Sequence, residues 1–166
     1  TVSPGFWHSS LYEHLPIFDP VDDQGRLACL KVALAELLLS GVTTLVDLSS
    51  PFEGWAETLL DSGIRAFVAP CFRDARWFTT NGHSLEYDRN YEAGQRAFST
   101  AREIVESAVR HPSGRLSAVV SPSQVDTCSE ALLRYSHAFA QVHNLNWTIH
   151  AAQSVTEFQE MKHRHG

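Results

Sequence analysis

The sequence predicts an α/β fold in which parallel strands alternate with helices. Segments with apolar residues at helical spacing alternate along the chain with short β-branched runs. The strand-like runs show little polar alternation, as do strands that are buried on both faces. A strict strand–helix order requires crossover connections and hence a parallel sheet. Periodicity alone leaves two architectures open, an open doubly wound sheet and a closed barrel.

The predicted elements follow one another with short connections, apart from one long segment at 73–90. Helices are predicted over residues 26–40, 53–62, 91–110, 129–144 and 155–165. Strands are predicted over residues 42–50, 64–72, 116–122 and 147–152. Gly41 and Gly63 each follow a predicted helix, and glycine is the usual residue just past a helix end. Asp22 and Asp23 are expected to form a solvated turn before the first long helix.

Composition excludes several classes of protein. The chain has 166 residues, 43% of them hydrophobic and 19% charged, which is enough to bury the core of one domain. A net charge of −6 argues against a nucleic-acid partner, which needs a basic face. Neither a membrane span nor a signal peptide is expected from the apolar runs or the first ten residues. Three widely spaced cysteines suit a reducing compartment, and we expect a cytoplasmic location.

Polar residues follow each predicted strand at its carboxyl end. Chemistry in parallel α/β proteins is concentrated at this edge, so these side chains are expected to line a pocket for a small-molecule substrate. They are Asp47 and Ser49; Cys71, Arg73 and Asp74; Ser121 and Gln124; and His150 and Gln153.

Four segments, in the same order, resemble the amidohydrolase superfamily, in particular its cytosine deaminase and triazine hydrolase branch. They are "SPGFWHSSLYEHL", "ALAELLLSGVTTLVDLSS", "DSGIRAFVAP" and "TIHAAQSVTEFQEM". The resemblance implies a (β/α)₈ barrel, of which residues 1–166 would form one incomplete domain with about five βα units. It also implies metal-dependent hydrolysis of C–N bonds, amide or ring-amine, in a small heterocyclic substrate, with zinc or iron as the divalent ion.

Two residues of the last segment take on roles through this resemblance. His150 occupies the position of the family's fifth-strand metal ligand. Gln153 occupies the position of the family's catalytic glutamate, in an HxxQ rather than an HxxE arrangement. Because an amide cannot accept and return a proton near neutral pH, we expect activity to be impaired or the proton to move through another residue. Glu157 is either that residue or a solvated helix charge.

The first strand departs further from the family's His-x-His pair. An ungapped alignment places Ser10 and Tyr12 at the two ligand positions, and a two-residue deletion places His8 and Ser10 there. His8 is therefore the candidate second metal ligand. The literal pair His163 and His165 lies two residues apart on a helix and is expected at the surface.

The long segment at 73–90 is expected to act as a lid or specificity loop in a barrel. Its rings, among them Trp77, His83 and Tyr87, suit stacking on a planar heterocycle, so they are candidate substrate contacts. The alternative is a loop that packs on its own aromatics or on a partner subunit.

Two other functions compete with the hydrolase. An incomplete barrel would expose strand edges, which favours a non-catalytic half-barrel that self-associates, and a homo-oligomer is expected. An open-sheet binding or signalling module would instead use Asp47 as an acidic acceptor at a switch point of the sheet.

Overall fold

The computed structural model describes residues 22–80 and 85–166, which fold as a parallel sheet with helices packed against it. His8 and His83, two of the candidate site residues, lie outside these ranges. Within them, no helix is long and apolar enough to cross a bilayer.

The elements alternate along the chain as the periodicity predicts. The helices are α1 (Asp23–Leu39), α2 (Trp55–Asp61), α3 (Tyr91–Arg110), α4 (Glu130–Val142) and α5 (Val155–His165). The strands are β1 (Thr44–Asp47), β2 (Arg65–Val68), β3 (Cys71–Phe72), β4 (Ala75–Phe78), β5 (Glu86–Arg89), β6 (Leu116–Pro122) and β7 (Asn146–Trp147). Asp22, expected in a solvated turn, instead caps α1 by accepting a hydrogen bond from the Gly25 amide at 2.7 Å.

The strands of the main sheet lie side by side in chain order. β1 pairs with β2, β2 with β6 and β6 with β7, all of them parallel. β3 continues the edge of β2, because it also pairs with β6 and because the Cys71 amide donates to the Ser49 carbonyl at 2.9 Å. Sequential order is the order of a barrel, whereas a doubly wound sheet reverses at its switch point. The open-sheet alternative is therefore wrong.

Helices cover one face of the sheet and form the core with it. Alternate strand residues such as Val68 and Val120, 0% and 2% exposed, join the buried cluster that includes Leu34 of α1 and Leu132 of α4. On β1 the other face is open, since Val46 is 51% exposed. A barrel segment shows this asymmetry, because its second face lines the interior that further strands would close.

The segment at 73–90 is not a plain loop. β4 and β5 pair antiparallel, with Trp77 opposite Tyr87, and form a two-stranded hairpin beside the sheet.

The last predicted strand, at residues 147–152, is shorter than expected. β7 spans two residues, and pairing resumes only at the isolated bridge between Gln124 and His150.

Candidate functional site at the carboxyl edge of the sheet

The carboxyl ends of three neighbouring strands bring the predicted polar residues into a row. Cys71 lies in register with Ser121, and their side chains approach to 3.7 Å between Sγ and Oγ. The next pair along this edge is Gln124 and His150. The parallel sheet thus gathers residues that are far apart in the sequence, as expected.

His150 is fixed to the sheet through its main chain. Its amide donates to the Ser123 carbonyl at 3.2 Å, and its carbonyl accepts from the Val125 amide at 3.0 Å. The imidazole is exposed. The neighbouring Gln124 amide accepts a hydrogen bond from Thr127 Oγ1 at 2.7 Å, which orients this side chain. His150 therefore presents its ring at the sheet edge from a rigid backbone position.

The loop that follows His150 is held by Glu157. Gln153 is exposed, whereas Glu157 is 2% exposed. Glu157 accepts hydrogen bonds from the Ala152 amide at 2.5 Å and the Gln153 amide at 3.3 Å. The expectation of a solvated charge at Glu157 is wrong, and its engaged oxygens also make it a poor substitute for the missing acid–base group. The Ser-x-x-Glu pattern from Ser154 to Glu157, a helix-start signature, could have indicated this.

The hairpin directs its two large aromatics at one buried carboxylate. Trp77 Nε1 and Tyr87 OH both donate to Asp126 Oδ2, at 2.8 and 2.9 Å. Asp126 is 0% exposed, and its Oδ1 has no hydrogen-bond partner among the described residues. The Arg164 guanidinium donates to the Asp126 carbonyl at 2.8 Å and lies 5.1 Å from the centre of the Tyr87 ring. Sequence analysis did not identify Asp126.

A second buried carboxylate, Asp74, joins the base of the hairpin to α3 and α4. It pairs with Arg89 at 2.6 Å and accepts hydrogen bonds from both the amide and the hydroxyl of Ser129, the N-cap of α4. Gly94 of α3 packs so closely that a Cβ there would lie 2.3 Å from the Asp74 Cβ. Predicted as a pocket-lining residue, Asp74 is 5% exposed and ties elements together.

Cys128 lies in the turn before α4 and is also buried. Burial, reinforced by the negative charge of Asp74, raises the pKa of its thiol to about 12. A thiol with so high a pKa is not a nucleophile near neutral pH. The three cysteines of the chain are all free.

Asp47 orients the start of α2. Its carboxylate accepts hydrogen bonds from Ser49 Oγ at 2.5 Å and from Trp55 Nε1 at 2.8 Å. These contacts hold the strand end against the buried Trp55 and leave Asp47 engaged on both oxygens.

The described residues do not by themselves make up a metal site. Across residues 22–80 and 85–166, no group of three or more His, Cys, Asp or Glu side chains is arranged to hold a metal ion. A catalytic zinc needs about three protein ligands, and His150 is the one candidate ligand that falls in the described ranges. His163 and His165 are exposed on α5, as predicted.

Comparison with known proteins relates this geometry to deaminases. The chain is 25% identical over 142 residues to a 5'-deoxyadenosine deaminase of Methanosphaera stadtmanae, covering 86% of this chain and 30% of that protein. It is 28% identical over 131 residues to a 5-methylthioadenosine/S-adenosylhomocysteine deaminase of Thermococcus kodakarensis, covering 79% of this chain and 28% of that protein. No protein-family model matches the chain.

A solved structure confirms the fold. An adenosine deaminase from Xanthomonas campestris, crystallised with bound zinc, superposes with a TM-score of 0.71 at 18% identity, covering 89% of this chain and 30% of that one. The chain thus spans about a third of the length of the curated and solved proteins it matches. The similar proteins are named as deaminases of adenosine or its derivatives, which agrees with the predicted resemblance at the level of a deaminase. The cytosine deaminase and triazine hydrolase branch stays a prediction.

Proposed function

We propose that this chain forms a barrel segment of a hydrolase that deaminates an adenosine-like nucleoside. In such a reaction water adds to the ring carbon that bears the amino group, the C–N bond breaks, and ammonia leaves. The observation that carries the proposal is the position of His150, bridged to Gln124 at the carboxyl edge of the sheet in a fold shared with a zinc-containing adenosine deaminase. Cytosine-like or triazine substrates are the variant of this proposal that the branch resemblance implies.

The described side chains are better suited to positioning a metal ion, a water or a substrate than to transferring a proton. His150 is the proposed metal-ligand residue and Gln124 its neighbour, while His8 would be a further ligand. Gln153 can orient a water or a substrate but cannot carry a proton, and Glu157 is occupied by main-chain amides. We therefore infer that turnover by this chain alone is weak and that the amide at Gln153 limits it.

Trp77, His83 and Tyr87 are proposed to border the substrate. The hydrogen bonds of Trp77 and Tyr87 to Asp126 hold the edge atoms of both rings inward. Stacking on a planar base is expected at the ring of Trp77 or of Tyr87, whose orientations these bonds fix.

The test is a gain of function at Gln153. The Gln153→Glu variant restores a carboxylate at the acid–base position, and general acid–base catalysis contributes about 10²–10⁴-fold. Ammonia release from adenosine, 5'-deoxyadenosine and cytosine is measured with zinc present and absent. Gln159→Glu, on the exposed side of α5, is the matched control because it adds the same charge on the helix rather than in the loop before it. Stimulation by Gln153→Glu alone supports the proposal; no ammonia release above the protein-free background, from Gln153→Glu or any other variant, refutes it.

The metal content of the purified chain provides an independent test of the proposal. Zinc or iron that co-purifies with the chain, is lost in His150→Ala and is retained in His165→Ala would support His150 as a ligand. Absence of metal from all three samples would leave the second candidate function.

That second candidate is a half-barrel that self-associates. The exposed Val46 and Leu48, 51% and 41% accessible, favour it because they lie at the end of the β1 edge. Sedimentation of the chain tests it: a dimer that Val46→Asp converts to a monomer supports association through this face, whereas a monomeric wild-type chain excludes it.

A further inference from the structure

We propose that Glu157 is the positioning residue of the His150–Gln153 loop. It fixes the main chain from which both candidate site side chains project, rather than taking part in chemistry itself. The catalytic importance of this role rests on the proposed function, whereas the contacts that establish it do not.

Glu157 is a buried carboxylate whose partners are main-chain amides. Glu157 is 2% exposed and accepts from two consecutive amides, those of Ala152 and Gln153. A buried carboxylate is tolerated only when donors compensate for its lost hydration. Consecutive N–H groups beside a left-handed residue form a concavity that binds anions. Here the side chain of the same protein fills that concavity.

Ala152, which donates one of these hydrogen bonds, has an unusual backbone conformation. Its φ of 58° lies in the left-handed region, which non-glycine residues rarely occupy. Such a conformation persists when surrounding contacts over-determine it. The short hydrogen bond from the Ala152 amide to Glu157 is the contact placed to do so.

The Glu157 carboxylate is directed at residues that precede α5. In an ordinary capping box the glutamate bonds to the N-cap amide, and Ser154 is the N-cap here, accepting from the Glu157 amide at 3.0 Å. The Glu157 carboxylate also accepts from the amides of Ala152 and Gln153, the two residues before the N-cap. Because the main chain of His150 is already bonded to Ser123 and Val125, both ends of the loop are fixed.

The experiment compares Glu157→Gln with Glu130→Gln. Glu130 occupies the first turn of α4, is exposed, and controls for loss of a helix-start carboxylate. Amide hydrogen exchange and the amide–Hα coupling of Ala152 are measured by NMR. We expect exchange at Ala152 and Gln153 to accelerate about tenfold or more in E157Q, as local opening does when its hydrogen bonds weaken. Amides in β6 and the C-terminal half of α5 should stay within about twofold.

Rescue distinguishes positioning from capping. Glycine adopts the left-handed conformation readily, so adding Ala152→Gly to E157Q should restore slow exchange at Gln153. A uniform acceleration along α5 and β6, or an unchanged Ala152 coupling, would show that Glu157 only caps the helix and would overturn the proposal.

Kinetics separate this inference from the proposed function. If Gln153→Glu releases ammonia, adding E157Q should lower its kcat about tenfold or more while KM changes little, since a displaced catalytic group mainly affects the chemical step. If E157Q raised KM by as large a factor as it lowered kcat, the positioning role would be overturned. If Gln153→Glu is inactive, the proposed function fails, and the exchange rates still decide the role of Glu157.

Discussion

The cluster of Trp77, Tyr87 and Asp126 gives a quantitative prediction about what holds the hairpin. Trp77→Phe removes the indole N–H that donates to Asp126 Oδ2 at 2.8 Å, and Tyr87→Phe removes the hydroxyl that donates at 2.9 Å. A hydrogen bond to a charged group is worth about 1.5–3 kcal/mol. Each single variant should therefore lower the free energy of unfolding by about 2 kcal/mol, which lowers Tm by about 4–8 °C.

The double variant should cost more than the sum of the single ones. With both donors gone, the 0% exposed Asp126 carboxylate keeps neither of its Oδ2 partners, and its Oδ1 already has none among the described residues. Neighbours that share a partner show coupling energies of about 0.5–3 kcal/mol. Urea denaturation followed by circular dichroism measures all four corners of the cycle.

Repeating Trp77→Phe in an Asp126→Asn background tests whether the charge of Asp126 strengthens these hydrogen bonds. A neutral acceptor reduces each hydrogen bond to about 0.5–1.5 kcal/mol, so the cost of Trp77→Phe should fall by half or more. Trp147→Phe is the matched control, because its indole donates to the neutral Ser136 hydroxyl at 3.1 Å and should cost the same in both backgrounds. If Trp77→Phe costs as much in D126N as in the wild type, the carboxylate does not hold the hairpin.

Three further predictions concern the same region. Gly94→Ala should destabilise by about 1–3 kcal/mol in a urea melt, because its Cβ would lie 2.3 Å from Asp74 Cβ, whereas stabilisation by about 1 kcal/mol would indicate free space. Asp74→Ala should cost about 3–5 kcal/mol, since the Arg89 guanidinium loses a buried partner; a cost below about 1 kcal/mol would contradict this. Burial raises the pKa of the Cys128 thiol from 9.0 to about 12. Its contribution to stability is therefore complete below about pH 9 and is lost as the pH rises from there towards 12. Cys128→Ala should flatten that decline, and the exposed Cys29 should be alkylated first.

Elements with a strong local pattern could be predicted from the sequence to within a residue or two. Helix α3 at residues 91–110, strand β6 at 116–122 and helix α5 at 155–165 lie where the periodicity puts them. Their starts are also locally encoded, because Asn90 and Ser154 each accept a hydrogen bond from the third amide of the following helix.

The hairpin and the acids that hold it could not be predicted in the same way. Strands β4 and β5 span only four residues each. Trp77 and Tyr87 depend on Asp126, which lies 49 and 39 residues away in the chain. Burial of Asp126 likewise depends on the hairpin, so neither the hairpin nor the buried acid has a local sequence pattern that would predict it. The edge of the sheet that carries the candidate site follows from strand order, since strand ends in a parallel sheet converge whatever side chains follow them.

The placement of carboxylates limits what this edge of the sheet can do chemically. Asp126 holds the hairpin, Glu157 holds the His150–Gln153 loop, and Asp74 holds the start of α4. Each of these acids is buried with its hydrogen bonds directed at the protein itself, so none is placed to exchange protons with a substrate. Gln153 is exposed and lies three residues after His150. On the proposed function it occupies the acid–base position, and for this reason Gln153→Glu is the variant that separates a deaminase segment from a structural one.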